Sequence, residues 1–241
     1  MTAQAPRYLL REFMLNHVLK KYSPGQFLEL GYGGGDMLAN LAGRGYSGCA
    51  FDSSTLAKGH AARLLSDRNI ETVQLLDSFP AREKFDYIFF FELIGYLENP
   101  IGYLSSLKAN LQEGGCIAFS FTNSKHAGAA ERSNGNMACF TRNEIEQILR
   151  NAGYKTDLIV NYGFPLSNIL KPLLHLYYSV RKSVIEGQQV ARSGLAHKNL
   201  LSRLVGIFVN RYTLYPFSLL QLCFWKSDLG TGYIVFARLE S

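Results

Sequence analysis

No apolar run in this chain reaches the roughly 18 residues that a membrane-spanning helix requires. The nearest approach, Leu200 to Trp225, is interrupted by Arg203, Asn210, Arg211 and Pro216. Cysteines are few, four in 241 residues, and Cys49, Cys116, Cys139 and Cys223 stand far apart. Without the close pairs that a zinc site needs, and without a leader pointing to an oxidising compartment, they are expected to be reduced, mostly buried thiols in a cytoplasmic protein. Proline-, serine- or glycine-rich tracts, single-sign charge runs and internal repeats are missing as well, which argues against a disordered tail or a repeat array.

What is present is the composition of a folded globular chain, 47% hydrophobic and 18% charged. The length suits one sizeable α/β domain with an elaboration. A net charge of +6 and a pI near 9.1 allow an anionic partner such as nucleic acid, a phosphorylated substrate or an acidic membrane surface, without demanding one.

Hydrophobic periodicity alternates between strand and helix. Residues 7–21 place Leu10, Phe13, Met14, His17 and Val18 at helical spacing, and "SPG" ends that helix. Strands are expected at 26–30, 47–52, 71–76, 84–91, 116–121, 154–160 and 230–240, and helices at 35–44, 54–66, 100–111 and 141–152. The apolar run "KFDYIFFF" reads as a strand buried on both faces. Strand–helix alternation with short connections defines an α/β fold with a doubly wound, Rossmann-like sheet, here of seven strands behind an N-terminal helix. The pattern breaks after Tyr162. Expected boundaries are a core at 1–162, a helical lid insertion at 163–228 and a final strand returning to the core sheet at 229–241.

The stretch "FLELGYGGGDML" concentrates four glycines in five positions where the first strand hands over to a helix. Glycine costs roughly 0.5–1 kcal/mol against alanine inside regular structure, so such a cluster marks backbone that turns sharply or approaches something closely. In a doubly wound sheet, ligands bind beyond the carboxyl ends of the strands, where this loop lies. The spacing alone is compatible with a phosphate loop. Glu29 argues against one, because a carboxylate at that approach suits a cationic or hydroxyl-bearing ligand better than a pyrophosphate. Asp52 ends the second strand, where an acid can accept both hydroxyls of a ribose; it also fits a helix N-cap region with Ser53 and Ser54.

Taken in order, "LELGYGGGDML", "AFDSS", "KFDYIFFFELIGYLENP", "LKANLQEGGCIAFSFTN" and "FTRNEIEQILRNAGY" resemble the successive motifs of class I S-adenosylmethionine-dependent methyltransferases over residues 7–162. "NYGFPLSNILKPL", "ARSG" and "DLGTGYIVFAR" extend the resemblance to a bacterial branch of methyltransferase-domain proteins. The resemblance implies S-adenosylmethionine as methyl donor and no metal. It implies that Glu29, Gly31, Gly33 and Gly35 form the loop facing the methionine portion, and that Asp52, with Ser53 beside it, holds the ribose. Asp77 in "QLLDSFP" falls at the adenine-side acid, although a register two residues earlier also matches. Phe91 and Glu92 end the fourth strand, where family members line the sulfonium and the acceptor entrance.

Two positions depart from the family pattern. Tyr32 stands where many relatives carry cysteine, and is expected to be tolerated, since a loop side chain can point away. Tyr96 stands where many carry a histidine that assists deprotonation; a phenol, ionising ordinarily near pH ~10, is a poor base at neutral pH. Tyr96 is therefore either a catalytic residue or a packing aromatic. His126, on the loop after the fifth strand, is the best-placed base, with a solvated loop histidine as the alternative. His17 reads as packing or lid, and His175 as a residue of the insert.

Absent motifs narrow the chemistry. No Asp/Asn-Pro-Pro-aromatic tetrad follows the fourth strand, which by resemblance excludes transfer to an adenine amine or a glutamine amide. No Pro-Cys nucleophile stands there for covalent attack on a pyrimidine, and Glu92 with Glu98 does not make a metal cluster. The insert is basic, with Lys171, Arg181, Lys182, Arg192, Lys198, Arg203 and Arg211 interleaved with tyrosines and phenylalanines. That pattern fits a lid with solvated charges, a cap over the acceptor, or a surface for an anionic membrane or RNA.

The expected function is methyl transfer from S-adenosylmethionine to an oxygen or nitrogen of a small-molecule acceptor of glycan or natural-product type. Alternatives are a non-catalytic S-adenosylmethionine-binding scaffold and a methyltransferase of a lipid-linked acceptor at a membrane surface. Nucleic acid is not an expected partner.

Overall fold

A computed structural model describes residues 6–127, 138–169 and 211–240. The chain divides into two compact units, Lys20–Val160 with Tyr233–Ser241, and Met1–Leu19 with Asn161–Gly232.

The larger unit is built on seven strands: β1 (Gln26–Leu30), β2 (Ser47–Phe51), β3 (Val73–Leu76), β4 (Phe85–Phe91), β5 (Leu111–Thr122), β6 (Tyr154–Tyr162) and β7 (Gly232–Leu239). Their order in the sheet is β3-β2-β1-β4-β5-β7-β6. The β3-β2-β1-β4-β5 stretch is parallel throughout. Strand order reverses between β1 and β4, so the loop after β1 opens at a topological switch point.

Helices α2 (Asp36–Ala42), α3 (Thr55–Asp67), α4 (Pro100–Leu107) and α5 (Arg142–Asn151) connect these strands. Their starts are written in the local sequence. The Ser54 hydroxyl accepts from Ala57 N–H at the head of α3, and Asn99 accepts from Gly102 N–H with Pro100 at the first turn of α4. Thr141 and Glu144 form a reciprocal capping box on α5. β4 is buried along nearly its whole length, as its continuous apolar run requires. Leu28, Ile88, Phe90, Ile117, Phe119, Phe121, Ile145, Leu149 and Val235 share one core, with the Phe90 and Phe119 rings stacked at 4.8 Å.

β5 begins at Leu111, five residues before the position expected from the "EGG" turn signal. Phe85 pairs with Leu111 and Tyr87 with Cys116, so the glycines are absorbed as an irregularity inside the strand, with Gly114 at φ +72. Of the four thiols, Cys49 and Cys116 are buried, Cys139 is intermediate and Cys223 is exposed, which corrects the expectation that most are buried.

In the smaller unit, α1 (Pro6–Leu19) and α6 (Arg211–Leu220) pack together through Leu9, Leu10 and Leu214, with Phe13 edge-on to Tyr215 at 6.0 Å. Gln221 ties this unit by donating to the Leu10 carbonyl and accepting from Gly163 N–H. Asn161 donates to the Phe224 carbonyl and the Ser227 hydroxyl. Most of the expected insert, with His175 and the basic residues Lys171 to Arg203, lies outside the described residues. Among the described residues no helix is long and apolar enough to cross a membrane.

Candidate functional site

β1 delivers Glu29 to the centre of the parallel sheet, opposite Ala50 on one side and Phe89 on the other, where it is 2% exposed. The glycine loop then turns over the strand end. Gly31 donates to the Phe51 carbonyl at 2.9 Å, and Gly35 to the Tyr32 carbonyl at 3.1 Å. Gly31, Gly33 and Gly35 take φ of +71, +55 and +83, a region that side-chain-bearing residues reach only with strain.

The glycines are required for different reasons. A Cβ on Gly35 would stand 2.9 Å from the Ala61 Cβ, so this glycine lets the loop pack against α3. A Cβ on Gly33 would meet nothing within 4 Å. Gly33 therefore presents bare backbone to open space, the geometry expected of a face that receives a ligand.

Asp52, at the end of β2, is bound into the same loop. One carboxylate oxygen accepts from Gly33 N–H at 3.0 Å and the other from Ser54 N–H at 2.9 Å. Each oxygen keeps a further lone pair. The N-cap of α3 is Ser54, which leaves Asp52 outside the cap, and Ser53 is exposed beside it. Asp77, just beyond β3, is 91% exposed and ion-paired with Lys58 of α3. Sequence reasoning missed Lys58, which a single helical lysine does not betray.

Beyond β4 the chain makes a strained turn. Phe91 is half-buried, and Glu92 adopts φ +57, in the left-handed region. Ser120 holds it there: its hydroxyl donates to the Glu92 carboxylate at 2.9 Å and accepts from Glu92 N–H at 3.1 Å. Ser120 is fully buried on β5 and carries no sequence signal of this role. Strain of this kind, held by a buried partner, is characteristic of functional sites.

Tyr96 closes the short helical turn Ile94–Tyr96 and is 48% exposed, while His126 ends the turn Ser124–His126 after β5 and is half-buried. The strip Ala138–Phe140 links the two turns. Ala138 donates to the Gly95 carbonyl at 2.7 Å, and Ser124 to the Phe140 carbonyl at 3.0 Å. Asn123 anchors the second turn by accepting from Lys125 N–H and donating to the Tyr233 hydroxyl at 3.2 Å.

Tyr32 is enclosed rather than facing solvent. It is 5% exposed, and burial, with the Asp52 and Asp77 carboxylates acting in the same direction, raises its phenol above the ordinary range. A depression between Gly25, Asp86, Glu113 and Arg238 lies at the amino ends of β1 and β4, the opposite end from the glycine loop. Two of its three charged groups are already engaged, Asp86 by Gln26 N–H and Arg238 by Asp157 and the Gly114 carbonyl, so we read it as structural.

With this geometry in place, comparison with known proteins identifies the class. Residues 1–158 match the model of the methyltransferase domain, and the chain belongs to that family. Its sheet order and the family together make it a class I methyltransferase, the class that uses S-adenosylmethionine as methyl donor. Among solved structures it is similar to a SAM-dependent methyltransferase from Aquifex aeolicus, at 21% identity over 67% of this chain and 89% of that one, with a TM-score of 0.55. It is also similar to one from Thiobacillus denitrificans in complex with S-adenosyl-L-homocysteine, at 17% identity over 98% and 93%, with a TM-score of 0.58. The 4+2 cyclase SpnF shares the fold as well, at 14% identity over 94% and 81%, with a TM-score of 0.58. None of the curated proteins matches this chain. Among the described residues no group of histidine, cysteine and acidic side chains is arranged to hold a metal ion.

Proposed function

We propose that this protein moves the methyl group of S-adenosylmethionine to an oxygen or nitrogen of a small-molecule acceptor. The observation that carries the reading is the lock between Asp52 and Gly33: an acid held by the glycine loop, with lone pairs to spare, beside backbone that faces open space. Family membership adds methyl transfer, which the fold alone does not, since a cyclase shares it.

In this reading Asp52 accepts the two ribose hydroxyls, and Gly31 and Gly33 give backbone access to the amino-acid portion, with Glu29 behind them. Gly35 shapes the loop through its packing on α3. Ser53 borders the ribose. Asp77, oriented by Lys58, serves the adenine side. Phe91 and the Ser120-held Glu92 line the reacting end. The bound donor supplies an electrophilic methyl on a sulfonium, and the protein's task is chiefly alignment for an in-line displacement. Tyr96 and His126, on turns joined by Ala138–Phe140, border the acceptor, with His126 taking its proton where the acceptor is a hydroxyl. The test is a screen of phenol, sugar, amine and thiol acceptors for formation of S-adenosylhomocysteine. Turnover that His126→Ala slows at least tenfold for a hydroxyl acceptor supports the assignment; equal turnover in that variant removes His126 from it.

A second reading, transfer to a lipid-linked acceptor at an anionic membrane surface, is favoured by one observation. Residues 163–228 contain eight lysines and arginines against two acids, which equals the +6 of the whole chain. Within the same stretch α6 exposes Tyr215, Phe217, Leu219 and Leu220 while burying Leu214 and Ser218. Basic charge with exposed aromatic and aliphatic side chains suits an interface. Co-sedimentation with phosphatidylserine vesicles at low salt, reduced by Phe217→Ser with Leu220→Ser, supports this reading; no co-sedimentation removes it.

A further inference from the structure

Among the described residues of the larger unit, the large apolar side chains left exposed are Leu56, Phe79 and Tyr96. A single exposed leucine needs no explanation, but these three stand together at one end of the sheet, following the carboxyl ends of β2, β3 and β4 in turn. Tyr96 borders the acceptor in the reading above, whereas Leu56, at 62% exposure, and Phe79, at 39%, have no role in it. Phe79 is not outside because its loop is loose. Pro80 beside it is buried, and the side-chain amide of buried Asn110 donates to the Pro80 carbonyl at 2.7 Å and to the Glu83 carbonyl at 2.9 Å. The ring is held outward on pinned backbone.

A charged pair stands with these two side chains. Phe51 of β2 pairs with Leu76 of β3, so Asp52 and Asp77, the next residue on each chain, leave the sheet side by side, adjacent strands being about 4.8 Å apart. Lys58, two residues after Leu56, is ion-paired with Asp77, two residues before Phe79. An exposed pair of this kind adds little to stability, and the first turn of a helix disfavours a cation, so neither the fold nor α3 calls for a lysine here. A carboxylate with an ammonium against it is complementary to a ligand edge that carries an amine beside a ring nitrogen. Adenine has such an edge, where the 6-amine donates and the ring nitrogens on either side of it, N1 and N7, accept. An ammonium has three donors and a carboxylate about four acceptor sites, so the pair can stay intact while each group makes a further bond.

We propose that Lys58 and Asp77 together read the adenine edge of bound S-adenosylmethionine, the carboxylate accepting from the 6-amine and the ammonium donating to an adjacent ring nitrogen, while Phe79 and Leu56 supply apolar surface for the ring. The proposal rests on the donor site described above and adds to it side chains that the family pattern does not assign. A mostly apolar surface with a few placed polar groups is the ordinary make-up of a ligand site, and an aromatic face accepts a purine ring by stacking.

Calorimetric titration with S-adenosylhomocysteine, and with its analogues in which N1 or N7 is replaced by a C–H group, tests the assignment. The wild type should bind one of the two analogues about tenfold more weakly than the parent. Lys58→Met keeps the length of the side chain and drops the ammonium, so it should bind that analogue and the parent alike, and Lys58→Arg should restore part of the preference. Phe79→Ser should weaken all three ligands by a similar factor, about five- to tenfold, with Tm unchanged within about 2 °C, as suits an exposed side chain. A preference for the parent that persists in Lys58→Met, or no preference in the wild type, overturns the role of Lys58 and leaves the donor site standing. Unchanged affinity in Phe79→Ser overturns the apolar surface. Absence of saturable binding of S-adenosylhomocysteine by the wild type overturns the donor site itself, and this proposal with it.

Discussion

Alanine at Gly35 and alanine at Gly33 should separate packing from ligand access within one loop. At Gly35 two costs add. The residue holds φ +83, where a side chain costs roughly 1–2 kcal/mol, and its new Cβ would lie 2.9 Å from the Ala61 Cβ and 3.0 Å from the Ala61 Cα. Overpacking of this kind typically adds about 1–3 kcal/mol, so the sum is about 3 kcal/mol of folding stability. For a chain of this length each kcal/mol moves Tm by about 2–4 °C, which sets the expected fall at about 6–12 °C. At Gly33 the conformational cost of about 1–2 kcal/mol stands alone, because nothing lies within 4 Å of the new methyl, so the expected fall is about 2–8 °C. The methyl there projects into the face assigned to the donor. Differential scanning calorimetry paired with S-adenosylhomocysteine titration reads both effects. The expected pattern is crossed: Gly35→Ala loses the more stability and keeps affinity within about threefold, while Gly33→Ala loses the less stability and at least tenfold in affinity. The opposite crossing, or equal effects on both readouts, would refute the division of labour.

Other variants address the supports of the site and fold. Ser120→Ala removes the two hydrogen bonds that the Ser120 hydroxyl makes to Glu92, leaving the one from Glu92 N–H to the Ser120 carbonyl, and should lower stability by about 1–2 kcal/mol and raise the Kd for S-adenosylhomocysteine several-fold; unchanged affinity would detach the Glu92 carboxylate from the donor site. Thr141→Ala, which opens the capping box of α5, should cost about 1 kcal/mol in urea unfolding, and no loss would show the box to be ornamental. Glu144 accepts from Thr141, which lowers its carboxyl below the ordinary range, so its contribution is present at neutral pH and lost as pH falls through the folded value. The stability gap between wild type and Glu144→Ala should therefore shrink below pH ~4, and a gap that widens there would reverse the sign. Burial pushes the thiol of Cys49 up to about 11 and that of Cys116 up to about 12. Iodoacetamide at pH ~7.5 should modify exposed Cys223 in the native protein, and Cys49 and Cys116 only after denaturation. Rapid native labelling of Cys116 would contradict its burial.

The parts of this fold legible in the sequence are those governed by local rules. The apolar run at 84–91, the helix N-cap region around Ser54, and the order of strands and helices follow from periodicity and side-chain chemistry that act over a few residues. The start of β5 did not, because the pairing of Leu111 with Phe85 is a long-range gain that overrides the turn preference of Gly114. The site divides in the same way. Asp52 and the glycine loop announce themselves by spacing, yet only three-dimensional contact shows that Gly35 serves α3 while Gly33 serves open space. Glu92 carries no residue preference for the left-handed region; Ser120, 28 positions away, holds it there. The burial of Tyr32 was not legible for a related reason. A loop side chain is ordinarily free to face solvent, and its burial depends on what the ends of neighbouring strands bring around it.

The central claim is that the loop between β1 and α2, with Asp52, binds the donor. Calorimetric titration of S-adenosylhomocysteine into the wild type and into Asp52→Asn tests it most directly. Asparagine retains an oxygen for one of the Gly33 and Ser54 N–H groups but loses the charge offered to the ribose hydroxyls. The account predicts saturable one-to-one binding in the wild type and a loss of about 100-fold in the variant, about 3 kcal/mol of charge-assisted hydrogen bonding. No saturable heat in the wild type, or equal affinity in the two proteins, would contradict it.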